Sequence, residues 1–346
     1  IKMAYLINLS PELVTLSNVF TTAKSYLIKD NTQLETGNFS FTKTLVASDL
    51  KVYQETEDGL LYGSYNDSVT RQSLDPAEPI NGLHWRTRMD FAISKSGKPG
   101  LYSARSKEVT EIDKCLIAVE AINDPTMFAR NWKGEDRLEV AVSSSGEKNV
   151  SRGGRSISGP TQLHEVVGEH TYEISPTSFW QSHSAAPQTL TKLVMDLMAL
   201  RPGDQVCDLY GGVGLFTAPM AEDVGDIGKV HLIESSHRAT QDALKIFEKK
   251  KNVVVHSGRV EQKLPLINRV DVILLDPPRT GAGEMVIKQM LAKKPRTIVY
   301  VSCDPASMAR DARALEEGGY HLNHIVGFDL FPMTQHVECV ARFSLG

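Results

Sequence analysis

Cysteine is scarce. Four cysteines (Cys115, Cys207, Cys303 and Cys339) are scattered through 346 residues with no CxxC spacing. That argues against a disulfide framework or a zinc site and fits a reducing, cytoplasmic setting. No run of about 18 uncharged apolar residues occurs, so no membrane span is expected. No basic-apolar-small leader opens the chain, which argues against a secretory signal. The first residue is Ile1 rather than Met, consistent with a native start lying upstream. The 10 histidines form no HExxH-type cluster, so no metal is expected. A single dominant charge is missing too: the net charge is −4. Such a total says little about nucleic acid, because local patches decide that.

What charge there is, is uneven. Residues 81–160 carry 13 Lys and Arg against 10 Asp and Glu, whereas residues 1–80 carry 6 against 10. Three regions follow from the texture. Residues 1–80 show short alternating stretches such as "FSFTKTLVA" and "LKVYQ" between turn formers, read as a small β-rich region. The turn-rich "RQSLDPAEPINGL" reads as a linker. Residues 81–172 read as an α+β domain, with a hairpin turning at Ser96-Gly97, a helix over 117–132 and a mobile Gly/Ser-rich 151–160. Residues 173–346 alternate apolar strands with amphipathic helices, which predicts a doubly wound, largely parallel α/β sheet with an antiparallel edge from the last two strands.

Within that last region, several strands end on polar or reactive residues. "DLYGGVGLF" runs from Asp208 into a glycine loop, where the missing Cβ atoms let the backbone approach a nucleotide-like group. Glu234 ends the next strand roughly 20 residues later, a spacing suited to ribose hydroxyls. The full GxGxxG pattern is absent, since Leu215-Phe216-Thr217 follows Gly214, which favours S-adenosylmethionine over a dinucleotide. Asp276 ends another strand in "LLDPPRTG", where two prolines stiffen the loop. Cys303 ends the next, in "VYVSCDPASMARD". A lone cysteine is most often a small core residue. At a strand end before a helix it can instead be an exposed nucleophile whose thiolate the helix N-terminus stabilises. His336 and Glu338 precede the final strand; a carboxylate there is either edge charge or a general base.

In their order, "FWQSH", "DLYGGVGLFT", "LIE", "LLDPPRTG", "VSCDPASMARD" and "FPMTQHVECV" resemble the S-adenosylmethionine-dependent RNA uracil-5-methyltransferases of ribosomal and transfer RNA. "HWRTRMDFAI" and "GLYSARSKEVTEIDKCLIA" are similar to the family's central domain, so the resemblance covers about residues 81–346. It implies a Rossmann-like class I methyltransferase sheet. Gln181, Tyr210, Gly212, Gly214 and Glu234 would bind S-adenosylmethionine, and Asp276 would lie at both cofactor and uracil. Cys303 would be the nucleophile and Glu338 the proton acceptor. The substrate would be a uridine in structured RNA, ribosomal ahead of transfer RNA, with Arg86, Arg88, Arg105 and Lys107 as candidates for phosphate contacts. No metal is called for, because the sulfonium is already activated, and nothing demands more than a monomer.

Three departures qualify the likeness. Residues 1–80 hold no cysteine, which excludes the iron-sulfur cluster of some relatives from this chain. They also lack a glycine-rich TRAM pattern, leaving room only for a divergent version. "FWQSH" has Ser-His where relatives often have Val-Asn or Pro-Asn. The alternatives are a same-fold enzyme acting on another base, such as cytosine, and a catalytically silent RNA-binding or assembly module. The absence of a cysteine beside Asp276 argues against the cytosine enzyme, and Cys303 with Glu338 argues against the silent module.

Overall fold

The structure is a computed structural model that describes residues 83–103, 106–331 and 336–345. It also traces the backbone of four short strands: β1 (Lys2–Leu6), β2 (Lys51–Thr56), β3 (Gly59–Ser64) and β4 (Thr70–Arg71). The rest of the expected β-rich region, and with it any TRAM-like domain, lies outside the described residues, as does Arg105.

Residues 83–174 build around β5 (Arg88–Ile93), β6 (Pro99–Tyr102), β7 (Val109–Glu111), β8 (Arg137–Val142), β9 (Lys148–Arg152) and β10 (Arg155–Ser158). They form one antiparallel sheet in the order β10-β9-β8-β5-β6-β7. The expected β5–β6 hairpin is present, with Gly97 at φ +90° in its loop. Phe91 meets Phe128 edge-on at 5.3 Å over a core with Trp132, Leu138 and Val140. A separate hairpin follows, β11 (Leu163–Val167) with β12 (His170–Ile174).

Two expectations fail here for local reasons. The helix expected over 117–132 reduces to a 3-10 turn at Glu120–Ile122 and α1 (Pro125–Ala129). Pro125 disfavours a helical Asp124, which caps α1 instead, its carboxylate accepting from the Thr126 amide. The stretch 151–160, expected as a mobile Gly/Ser-rich segment, is a strand hairpin: Gly153 and Gly154 (φ +52° and +77°) turn β9 into β10.

The C-terminal region follows the alternating pattern. Its elements are α2 (Ala186–Met198), β13 (Gln205–Leu209), α3 (Thr217–Val224), β14 (Lys229–Glu234), α4 (His237–Ile246), β15 (Val253–Ser257), α5 (Val260–Lys263), β16 (Val272–Leu275), α6 (Glu284–Lys293), β17 (Thr297–Ser302), α7 (Pro305–Glu317), β18 (Tyr320–Phe328) and β19 (Glu338–Leu345). The strands lie in the order β15-β14-β13-β16-β17-β19-β18, and beyond them the sheet continues through β1 to β4. β13 to β17 are parallel; β19 runs antiparallel between β17 and β18, as expected of the last two strands.

Both faces of the sheet are covered, so its strands read as apolar runs. Leu190, Val194 and Met198 of α2 and Met220 and Val224 of α3 pack on one face against Val206 and Val299. Val286 and Met290 of α6 and Met308 and Leu315 of α7 cover the other, against Ile273 and Ile298. Truncating such a side chain to alanine costs about 2–5 kcal/mol. The strand order reverses between β13 and β16, and the crevice outside their carboxyl ends is where such sheets bind ligands.

Candidate active site

Parallel packing brings the ends of β13, β14, β16 and β17 to one rim. Asp208, the fourth residue of β13, is fully buried and accepts from the Thr217 hydroxyl through Oδ2 at 2.6 Å, while its Oδ1 has no hydrogen-bond partner. Burial, with Glu234 adding, pushes its acid up to about 7. Tyr210 follows at φ +62°, a left-handed conformation rare for a tyrosine, and starts the glycine loop. Gly212 (φ +57°) donates its amide to Glu234 Oε2 at 3.0 Å, and a Cβ placed on it would meet nothing. Gly214 serves packing: a Cβ there would fall 2.4 Å from the Phe247 ring.

This loop opens onto a cleft walled by Phe179, Gln181, Tyr210, Gly212, Phe216 and Asp276. Gln181 Nε2 donates to Asp276 Oδ2 at 3.5 Å, so two residues 95 apart in sequence share one wall. The Asp276 acid is pushed up to about 7, by burial first and by Asp208 second.

Cys303 is half-buried just past β17. Its thiol is pushed up to about 11, chiefly by burial, then by Glu338 and Asp276, with Arg279 opposing through charge and a hydrogen bond. The expected thiolate stabilisation by the α7 N-terminus is therefore overridden. Asp304 caps that helix, accepting from Ser307 N at 2.7 Å, and its charge offsets the helix end. Glu338 is the first residue of β19, opposite Phe328, and is buried. Burial and Asp276 raise its acid well above the ordinary range, again against Arg279.

Arg279 is the residue that sequence reasoning passed over. Its charge bears on Cys303, Glu338 and Arg86 alike, so it sits where the thiol and the carboxylates meet. The available signal was its place in "DPPRTG", after two prolines that fix its backbone.

The basic candidates separate. Arg88 is turned inward: it donates to the Pro176 and Ser178 carbonyls at 2.8 and 3.0 Å and pairs with buried Glu165 at 3.3 Å. Its Nη atoms are engaged inside the protein, so the structure lends no support to the phosphate contact expected of it. Arg86 is half-buried near the site and donates to the Arg88 carbonyl at 2.9 Å. Lys107 is exposed on the turn between β6 and β7. Trp85 is fully buried, with the His183 ring stacked on it at 5.5 Å. Among the described residues no group of three or more His, Cys, Asp or Glu could hold a metal, and no helix is long and apolar enough to cross a membrane.

Comparison with known proteins agrees with this arrangement. Residues 263–343 match the family described as tRNA (Uracil-5-)-methyltransferase, and residues 157–290 match protein-L-isoaspartate(D-aspartate) O-methyltransferase. An uncharacterized RNA methyltransferase of Streptomyces coelicolor is 38% identical over 288 residues, covering 74% of this chain and 63% of that protein. Another, of Corynebacterium efficiens, is 32% identical over 298 residues, covering 80% and 69%. The 23S rRNA (uracil(1939)-C(5))-methyltransferase of Psychrobacter arcticus is 37% identical over 231 residues, covering 62% and 43%. The chain thus spans between two fifths and about two thirds of the length of these curated relatives. Among solved structures, the Pyrococcus abyssi tRNA (uracil-54, C5)-methyltransferase in complex with S-adenosyl-L-homocysteine superposes with a TM-score of 0.61 over 76% of each chain at 23% identity. The fold is that of the class I methyltransferases, and the chain belongs to a family of RNA methyltransferases.

Proposed function

We propose that this chain methylates carbon 5 of a uridine in structured RNA, with S-adenosylmethionine as donor and ribosomal RNA ahead of transfer RNA as substrate. The observation that carries the reading is the meeting of Cys303, Glu338, Asp276 and Arg279 beside an open glycine cradle. The 23S rRNA relative at 37% identity favours ribosomal RNA.

The open space at Gly212, the Glu234 carboxylate beside it and the Gln181–Asp276 wall suit a nucleoside with a charged sulfur group. Gln181, Tyr210, Gly212, Glu234 and Asp276 would hold S-adenosylmethionine, with Gly214 allowing the loop to pack. When bound, it supplies an electrophilic sulfonium methyl. The chain's residues do the rest. The Cys303 thiolate adds to carbon 6 of the uracil, forming a C–S bond, and the ring electron pair makes carbon 5 nucleophilic. Once carbon 5 carries the methyl, Glu338 takes its proton, the electrons re-form the ring double bond, and the C–S bond breaks to return the thiolate. Arg279 favours the thiolate as attacker and as leaving group.

A base must leave its stack to reach this crevice. Residues 81–172 would bind and orient the RNA, with Arg86 and Lys107 (and Arg105) near phosphates, while 173–346 do the chemistry. The test is methyl transfer from labelled S-adenosylmethionine to 23S rRNA and tRNA fragments, with nucleoside analysis of the product. Labelled 5-methyluridine that disappears in Cys303→Ala, with the melting temperature retained, supports the reading. Label in any other nucleoside contradicts it.

A further inference from the structure

Glu338 stands at the end of the connection from β18 to β19; sheet pairing with Phe328 holds its backbone, and part of what holds the connection comes from the other half of the chain. The Trp85 indole is fully buried at the junction of the two units. On one side the His183 ring lies nearly parallel to it, 15° between planes at 5.5 Å. The Phe331 ring meets it edge-on at 6.2 Å and 82°, and Phe331 in turn meets His336 at 6.1 Å and 80°. Phe331 and His336 belong to the connection that delivers Glu338, His336 only two residues before it. Edge-to-face geometry at these separations is attractive and directional.

The backbone that carries the indole is fixed. The Trp85 carbonyl accepts from Ser184 N at 2.9 Å, and the Thr87 amide donates to the Ser182 carbonyl at 2.8 Å. On the other flank Arg86 N donates to Ile117 O at 2.8 Å. The segment is thus laced between two neighbours by backbone bonds that survive a side-chain change.

Resting on the function proposed above, we propose that Trp85 is a positioning residue for proton removal: it sets Glu338 against carbon 5 by pinning Phe331 and His336. Cys303 is held separately, at the end of β17 and the start of α7. Loss of the indole would therefore spare carbon–sulfur bond formation and slow the Glu338 step that ends in release of the thiolate. A displacement of about 1 Å at a reacting group can cost on the order of 100-fold in rate.

The experiment uses the full chain with an rRNA fragment that the wild type methylates. Trp85→Leu is expected to lower 5-methyluridine formation about 10- to 100-fold, while covalent RNA–protein adduct accumulates on denaturing gels. Trp85→Phe should recover most of the turnover. In a Glu338→Gln background the Leu substitution should change turnover by less than about 2-fold, because the step it disturbs is already lost. If the Leu variant does not fold, Phe331→Leu leaves the indole in the core and carries the same expectation. Equal losses in both backgrounds, or a rise in KM for RNA with kcat and adduct level unchanged, would overturn the inference while leaving the functional reading intact. A wild type that methylates neither rRNA nor tRNA would overturn both.

Discussion

Acidic side chains behave in opposite ways at the turns of the central sheet region and at the C-terminal rim. In the central sheet region Asp124 caps α1 and pairs with Lys148 at 2.8 Å, and its acid is held far below the usual range. The His164 amide and ring lower Glu147, and the Ser96 and Ser94 hydroxyls lower Glu111. At the C-terminal rim, burial pushes Asp208 and Asp276 up to about 7 and raises Glu338 well above the ordinary range. Carboxylates of the first kind hold turns and strand ends together. Those of the second kind are taken out of water with too few partners to offset burial, which costs stability and leaves groups able to exchange protons near neutrality.

Breaking the rim side of this contrast should have the largest effect. Glu338→Gln removes the proposed base but keeps the shape, and is expected to cost about 10²–10⁴-fold in turnover, with adduct accumulating on denaturing gels. Next comes Arg88→Ala, which leaves Glu165 buried without its partner; a loss of about 3–5 kcal/mol is expected by denaturant titration. Arg88 is spent inside, so its truncation should leave the salt dependence of RNA binding unchanged. Arg86→Ala should reduce that slope by about one.

Arg279→Ala is expected to lower turnover about 10-fold. Its positive charge holds down both the Cys303 thiol and the Glu338 acid, so its removal raises both and moves the rise of the pH–rate profile to higher pH. The smallest effect is on stability. The Asp208 acid is raised in the folded state, so its protonation contributes stability that is full below the unfolded value near 4 and is lost as pH rises through about 7. Asp208→Asn keeps an acceptor for Thr217. It should stabilise the fold at pH 8 by on the order of 1–3 kcal/mol after relaxation, read as a higher melting temperature, and leave it nearly unchanged at pH 4.

The rim was legible because its strands are apolar runs, each closed by one polar residue, with helices of clear periodicity between them. Asp208, Glu234, Asp276 and Cys303 declare themselves by ending such runs. The central region was less legible, because pairing decides there what periodicity does not. The 117–132 segment lost its helix to backbone bonds with Arg86 and to the Asp124-Pro125 break. Whether an arginine faces solvent or a buried glutamate depends on a partner 77 residues away, and Arg88 gave no local sign of it. Arg279 and Trp85 were hidden likewise, since their meaning lies in what they face across the two units.

The central claim is that Cys303 bonds covalently to the target uracil. It is tested most directly with RNA carrying 5-fluorouridine at the methylated position. Fluorine at carbon 5 cannot leave as a proton, so the Glu338 step is blocked and the adduct should persist. With S-adenosylmethionine present, the expected result is a denaturation-resistant RNA–protein complex, mapped by peptide mass to Cys303 and absent from Cys303→Ala. Normal methylation of the unmodified RNA with no such complex on the fluorinated one, or a complex that persists in Cys303→Ala, would contradict the account.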